Sequence, residues 1–234
     1  MLRAFTEAVA RSGGRAVSLV AILLAVGRPD DLAAQGFLSK FSYDNLKPSA
    51  LQLDLGPVGG NNIRGTLTGG LRLDYGFIAP RVRLLLGVSY YKADISAEAR
   101  ARFEQRLKSV VIDPSADDTI RLGRVTWSDV TGDVDLQYLV SQGRSVTTYL
   151  GVGLGAHIRH GSGPAINGTF VQDALNSIAA GLNGTIGTEV GAKRWRFTLE
   201  ARGVLSSGVS TASLRSGVTY RWASSRDKGR GTAK

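Results

Sequence analysis

The chain has 234 residues, 43% hydrophobic and 21% charged, with a formal net charge of +10 and a mean hydropathy near zero. That length suits one sizeable domain, and the balance excludes both a bundle of long membrane helices and a disordered polyelectrolyte. Cysteine is absent, which excludes disulfides, thiolate metal sites and cysteine nucleophiles. The 30 glycines follow no collagen period and suit β-structure with tight turns and close backbone contacts.

Residues 1–34 read as an export signal. Arg3, Arg11 and Arg15 precede the apolar run 16–26, and the small pair Ala33-Ala34 follows. This order of charge, apolar stretch and small residues is that of a secretory signal peptide, with cleavage expected after Ala34. The run is shorter than the roughly 20 residues a bilayer-spanning helix needs. Any later insertion must therefore use strands. Residues 35–49 are polar and irregular, a periplasmic lead-in.

From residue 50 the apolar residues recur at every second position, as in strands with two unlike faces. The first strand covers 50–57, where Leu51, Leu53 and Leu55 alternate with Gln52 and Asp54. In the second, 65–78, Leu67, Leu71, Leu73, Tyr75 and Phe77 oppose Arg72 and Asp74. The third, 81–93, sets Val82, Leu84, Leu86, Val88 and Tyr90 against Arg81, Arg83, Ser89 and Tyr91. A fourth, 121–140, opposes Val130, Val134, Leu136 and Tyr138 to Asp129, Asp133, Asp135 and Gln137.

The fifth strand, 145–159, is apolar from Val146 to Ile158 on one side and carries Gly151, Gly153, Gly155, His157 and Arg159 on the other. The sixth, 181–192, separates Leu182, Ile186 and Val190 from Asn183, Thr185 and Glu189. In the seventh, 194–206, Trp195, Phe197 and Leu199 alternate with Arg196, Thr198, Glu200 and Arg202. The eighth, 212–222, alternates Leu214, Val218, Tyr220 and Trp222 with Arg215, Thr219 and Arg221.

Connections alternate in length. Ala79-Pro80, 141–144 and Lys193-Arg194 are tight, whereas 58–64, 94–120, 160–180 and 207–211 are the other set. Within 97–111 the stripe Ala99, Phe103, Leu107, Val110 and the pairs Glu98–Arg102 and Glu104–Lys108 predict a helix. Thr169 and Gln172 predict a capping box for a second helix over 169–180. The tail 223–234 carries Arg226, Lys228, Arg230 and Lys234 against Asp227 and is expected to be disordered.

Alternation does not say which face points outward. A soluble lipid-binding barrel would bury the leucines. Three features favour the reverse: the export signal, the aromatics at the ends of the apolar rows, and charges of both signs on the polar face, able to pair inside a narrow lumen. Asp133, Asp135, Glu189 and Glu200 are read as countercharges to Arg72, Arg83, Arg196 and Arg202.

On these grounds the chain resembles the small outer-membrane barrels of the OmpA-transmembrane/OmpX type over residues 50–222, ending in SLRSGVTYRW. The resemblance implies an all-β, eight-stranded antiparallel up-and-down barrel in the bacterial outer membrane, with termini in the periplasm. It also implies a structural or surface-interaction role. The expected partners are membrane lipid and lipopolysaccharide, the outer-membrane assembly machinery reading Trp222, and an extracellular ligand at loops 94–120 and 160–180. Twelve residues after Trp222 depart from that pattern.

Chemistry is sparse. Gly151, Gly153 and Ala156 match G-x-G-x-x-A, but without the strand–turn–helix that a dinucleotide site requires. His157 and His160 point oppositely on a strand, so no metal set is expected, and neither is a cofactor. Basic residues alternate with apolar ones instead of clustering with aromatics, which argues against nucleic acid. One alternative is a lipid-modifying hydrolase resembling lipid A deacylases, with His160 activating Ser162 and Glu189 as the acid. A narrow channel is another.

Overall fold

The structure, a computed structural model, describes residues 46–110, 123–192 and 194–222. The signal segment 1–34, lead-in residues 35–45 and the basic tail 223–234 lie outside the described residues.

The eight strands are β1 (Leu46–Gly60), β2 (Thr66–Ala79), β3 (Val82–Asp94), β4 (Thr126–Gln142), β5 (Val146–Ser162), β6 (Ser177–Ala192), β7 (Trp195–Ser206) and β8 (Val209–Arg221). Each pairs antiparallel with the next, and β8 pairs back onto β1, giving a closed up-and-down barrel. Closure matters energetically, because it leaves no edge whose N–H and C=O groups lack partners. Among the described residues no helix is long and apolar enough to cross a membrane.

The period-two pattern maps directly onto the two faces. Leu53, Leu154 and Leu182 are more than half exposed, whereas Glu189, Asp135 and Gln137 are completely buried. The usual arrangement of a water-soluble protein is thus inverted. The outer row of β5 runs from Val146 to Ile158, about 40 Å along the strand at ~3.3 Å per residue. Tilted at about 45°, it spans ~28 Å, close to the ~30 Å of a bilayer's hydrocarbon layer.

Several boundaries differ from the sequence reading. β1 starts at Leu46, and β4 starts at Thr126, with 123–125 irregular. β6 begins at Ser177, so Ile178 is an outward strand residue, not part of a helix. The connection 207–211 is in fact a tight turn, Ser207-Gly208, with Gly208 at φ 81°, a backbone state that glycine adopts without steric penalty. One end of the barrel therefore has three long loops and one hairpin. The other has three short turns and both strand termini.

Two helices lie in the long loops. α1 (Ala97–Val110) starts with Ser96 Oγ accepting from Ala99 N at 3.2 Å, an ordinary N-cap. Arg102 donates to Asn62 Oδ1 at 2.8 Å in place of the expected pairing with Glu98. α2 (Phe170–Leu175) is only six residues long. Thr169 Oγ1 donates to Ile166 O at 2.6 Å, and Gln172 Oε1 accepts from Gly168 N, so the predicted reciprocal box does not form. Val125, Ile166 and Val171 form a small apolar core under Ile95, Phe103 and Leu175. Val58, Ile63, Tyr91 and Ala93 form a second, against Trp127.

Candidate functional site

The chemistry-bearing side chains collect in the lumen, where odd positions of β3–β5 meet even positions of β1 and β2. Among the described residues, Arg72, Arg83, Arg159, Arg196, Arg202, Arg215 and Arg221 face inward. They meet Asp54, Asp74, Asp129, Asp133, Asp135, Glu189 and Glu200. Seven cations thus oppose seven anions, and every one takes part in an ion pair.

The pairs form layers along the barrel. Near the end that carries the termini, Glu189 receives Arg83 at 2.5 Å, Arg221 at 2.8 Å and Arg196 at 3.5 Å. Arg83 also donates to Gln137 Oε1 at 2.7 Å and lies over the Tyr149 ring, 5.0 Å from its centroid. Mid-lumen, Arg72 pairs with Glu200 at 2.7 Å, Tyr149 donates to the same carboxylate at 2.9 Å, and Arg202 bridges Asp133 and Asp135 at 3.1 and 2.9 Å. Nearest the loops, Asp129 receives Arg159 at 2.9 Å and Thr131 at 2.7 Å and shares a 3.2 Å contact with His157 Nδ1. Burial of this kind costs several kcal/mol per ion, which the ion pairs offset although Arg72 Nη2, Asp133 Oδ1, Asp135 Oδ1 and Glu200 Oε1 have no hydrogen-bond partner among the described residues.

Small residues make room for these side chains. A Cβ on Gly153 would sit 2.6 Å from Val134 O and collide with Asp135 Oδ1; one on Gly187 would collide with Tyr149 Oη. The glycines of the nominal dinucleotide motif are thus clearances for luminal groups. One cavity, beside Ser89, Thr131, His157, Asn183 and Arg202, has about 20 Å³, enough for one or two waters.

The residues singled out for chemistry are scattered. His157 is buried on the inner face and His160 is exposed on the outer one, so the two imidazoles do not converge. Ser162 shares the outward parity of His160, yet His160 has Gln172 beside it at 3.5 Å and no hydrogen bond to Ser162. Glu189 stands opposite Thr147, thirteen residues and roughly 43 Å along the strand from His160, and is held by three arginines. Asp133, Asp135, Glu189 and Glu200 do each pair with one or more of Arg72, Arg83, Arg196 and Arg202. Asp54, Asp74, Asp129, Arg159, Arg215 and Arg221 complete the network; strand parity marks their side but not their partners. Arg81, assigned to the polar face by parity, lies exposed in the β2–β3 turn.

No known family profile and no curated protein matches the sequence. Solved structures do match in shape. Neisserial surface protein A superposes with a TM-score of 0.51 at 11% identity, over 74% of this chain and 96% of its own. The N-terminal β-barrel domain of Pseudomonas aeruginosa OprF gives 0.45 at 11%, over 75% and 98%, and the Yersinia pestis attachment invasion locus protein Ail 0.39 at 10%, over 75% and 99%.

The fold is that of the small outer-membrane β-barrels. The apolar rows form the outer surface of the cylinder and the paired charges its core. The loop cluster built on α1 and α2 stands at the end opposite the termini. Beyond the apolar rows there, Asp94 accepts from Arg124 Nε at 3.0 Å and from Thr126 Oγ1 at 3.2 Å. The Arg124 hydrogen bond holds the Asp94 carboxyl below the usual carboxylate range, despite some desolvation.

Proposed function

We propose that this protein is exported to the bacterial outer membrane, where it is a non-conducting anchor presenting the α1/α2 loop cluster outside the cell for adhesion or partner binding. One observation carries the reading: the lumen is filled by fourteen mutually paired ionised side chains, which leaves the loop cluster as the part free to meet a ligand. That cluster has its own apolar cores and leaves Phe170 of α2 two-thirds exposed. An exposed aromatic on an ordered support is the kind of group that anchors protein contacts. Lipid and lipopolysaccharide would surround the outer rows, and the assembly machinery would meet the strand that ends in Trp222.

Cell fractionation with heat-modifiable gel mobility tests the location: the protein is expected in the outer-membrane fraction, migrating faster unheated than boiled. Protease added to intact cells is expected to cut within 94–125. Recovery in the soluble periplasmic fraction, or cuts confined to the terminal side, would refute the proposal. Planar-bilayer recordings are expected to show no steady conductance.

A further inference from the structure

The charges outside the lumen are not shared evenly between the two ends. At the loop end, Arg64, Lys92, Arg100, Arg102 and Arg124 mingle with Asp94, Glu98, Glu104 and Asp173. At the end carrying the strand termini, the described residues outside the lumen include Lys47, Arg81, Arg144 and Arg194 and no acid. All four are exposed, and none of their side chains forms an ion pair. Their placement is annular. Lys47 opens β1 beside the β8 seam, while Arg81, Arg144 and Arg194 stand in the β2–β3, β4–β5 and β6–β7 turns. Each hairpin junction at that end therefore carries at least one cation.

Arg81 adds a separate observation. It follows Pro80 at φ 65° and is the non-glycine residue with positive φ among those described. Glycine takes that conformation at no steric cost, whereas an arginine there brings its Cβ against the backbone. A charge kept at a strained position is the mark of a used one. Next to this ring lie the outward aromatics of the same end: Tyr75, Tyr138, Trp195, Tyr220 and Trp222; Phe77, expected among them, is turned by the irregularity after Asp74 to stand opposite the inward Arg83. The rings of Trp195 and Tyr220 pack at a tilt of 55° with centroids 4.8 Å apart, and Trp222 Nε1 donates to Pro48 O at 2.5 Å. Amphipathic rings of this kind favour the headgroup level of a membrane.

We propose that this end of the barrel is a cationic and aromatic collar that selects anionic glycerophospholipids, phosphatidylglycerol-like in charge, from the leaflet around it. The inference rests on the membrane reading above. Charges spread around the whole circumference match a ring of lipids, whereas an acidic protein partner would need them on one side. The guanidinium and ammonium groups would meet the headgroup phosphates as the rings settle at the glycerol level. Attraction of this kind grows with each cation near an anionic surface and is weakened by salt.

The test uses tryptophan fluorescence of the mature chain reconstituted in phosphatidylcholine vesicles. Trp127 is replaced by Phe, so that emission comes from Trp195 and Trp222 at the collar. Dibrominated phosphatidylglycerol or dibrominated phosphatidylcholine is then added as a minor component. Preferential quenching by the anionic lipid is expected, equivalent to an enrichment on the order of fivefold at low salt, and it should fall towards unity in high salt. Arg144→Gln with Arg194→Gln should lower it. Arg81→Gly should lower it too while raising resistance to unfolding, a pairing that a merely structural arginine would not give. Soluble glycerophosphoglycerol should not compete. Equal quenching by both lipids overturns the proposal, more so if the collar cations instead bind an acidic peptide in solution. If neither lipid quenches, the chain is not inserted and the membrane reading itself fails.

Discussion

Arg83 on β3 and Glu189 on β6 are 106 positions apart in sequence and joined across the lumen at 2.5 Å. The carboxylate also receives Arg196 and Arg221, so it is the hub on which three buried or half-buried guanidiniums depend. Glu189→Gln keeps the shape and removes the charge, leaving those cations uncompensated. Breaking a buried ion pair from one side costs about 3–5 kcal/mol. Equilibrium urea unfolding in detergent or lipid should show a loss of that size, along with earlier loss of the fast-migrating gel form. A change under about 1 kcal/mol would mean the hub is well hydrated.

Glycine positions give a sharper test of which face is which. Gly153 points into the lumen, where an added methyl would meet Val134 O and Asp135 Oδ1, while Gly203 points outward with nothing within 4 Å of a built Cβ. Gly153→Ala should cost about 1–3 kcal/mol through overpacking. Gly203→Ala should be neutral or slightly stabilising, because it lowers the entropy of the unfolded chain. Thermal melts in detergent separate the two, and a reversed order would invert the barrel's faces.

The strands were legible because two unlike environments impose a period of two on every segment, and a slip of one residue would carry arginines into lipid. The inward side of Arg72, Arg83 and Glu200 could be read from that period alone. The identity of their partners could not: which strands face each other across a closed lumen depends on barrel curvature and register, as with Arg83 and Glu189. Parity also misplaced Arg81, because a turn ends the alternation. The Ser207-Gly208 hairpin is shorter than the expected connection 207–211 because residues 209–211 join the ladder of β8, and Ser-Gly is itself a turn signal. The helix expected over 169–180 stopped at Leu175 because residues 177–180 pair with β5; ladder hydrogen bonds there outweigh a helical apolar stripe.

Asp94 and Arg124 offer a local pH response at the loop end. Hydrogen bonding from Arg124 lowers the Asp94 pKa, so the folded loop binds that proton less readily than the unfolded chain. The contribution is therefore fully present above the ordinary carboxylate range and lost as pH falls through the lowered value. The pair is exposed and largely screened, so the effect should appear locally and not in global stability. Exchange of the Ile95 amide, which donates to Val125 O at 2.9 Å, should quicken on acidification once it is expressed relative to the intrinsic, base-catalysed rate of a free amide at the same pH. In Asp94→Asn it should already be faster at neutral pH and show no such step. An unchanged acid dependence in that variant would assign the response to another group.

Val152 lies midway along the outer row of β5 and is half exposed, which puts it at the centre of the ~28 Å apolar band. If that band faces acyl chains, Val152→Arg must either bury a guanidinium in hydrocarbon or distort the bilayer. The expected cost is about 2–4 kcal/mol, measured by reversible unfolding from lipid vesicles. The same substitution nearer the headgroups, at Val146, should cost about 0–1 kcal/mol, since a long side chain can reach water there. In a water-soluble barrel both sites would be solvated and neither change would register. The depth dependence therefore separates a membrane-spanning cylinder from a soluble one with the same strand order, and equal small costs at both positions would remove the basis for an outer-membrane location.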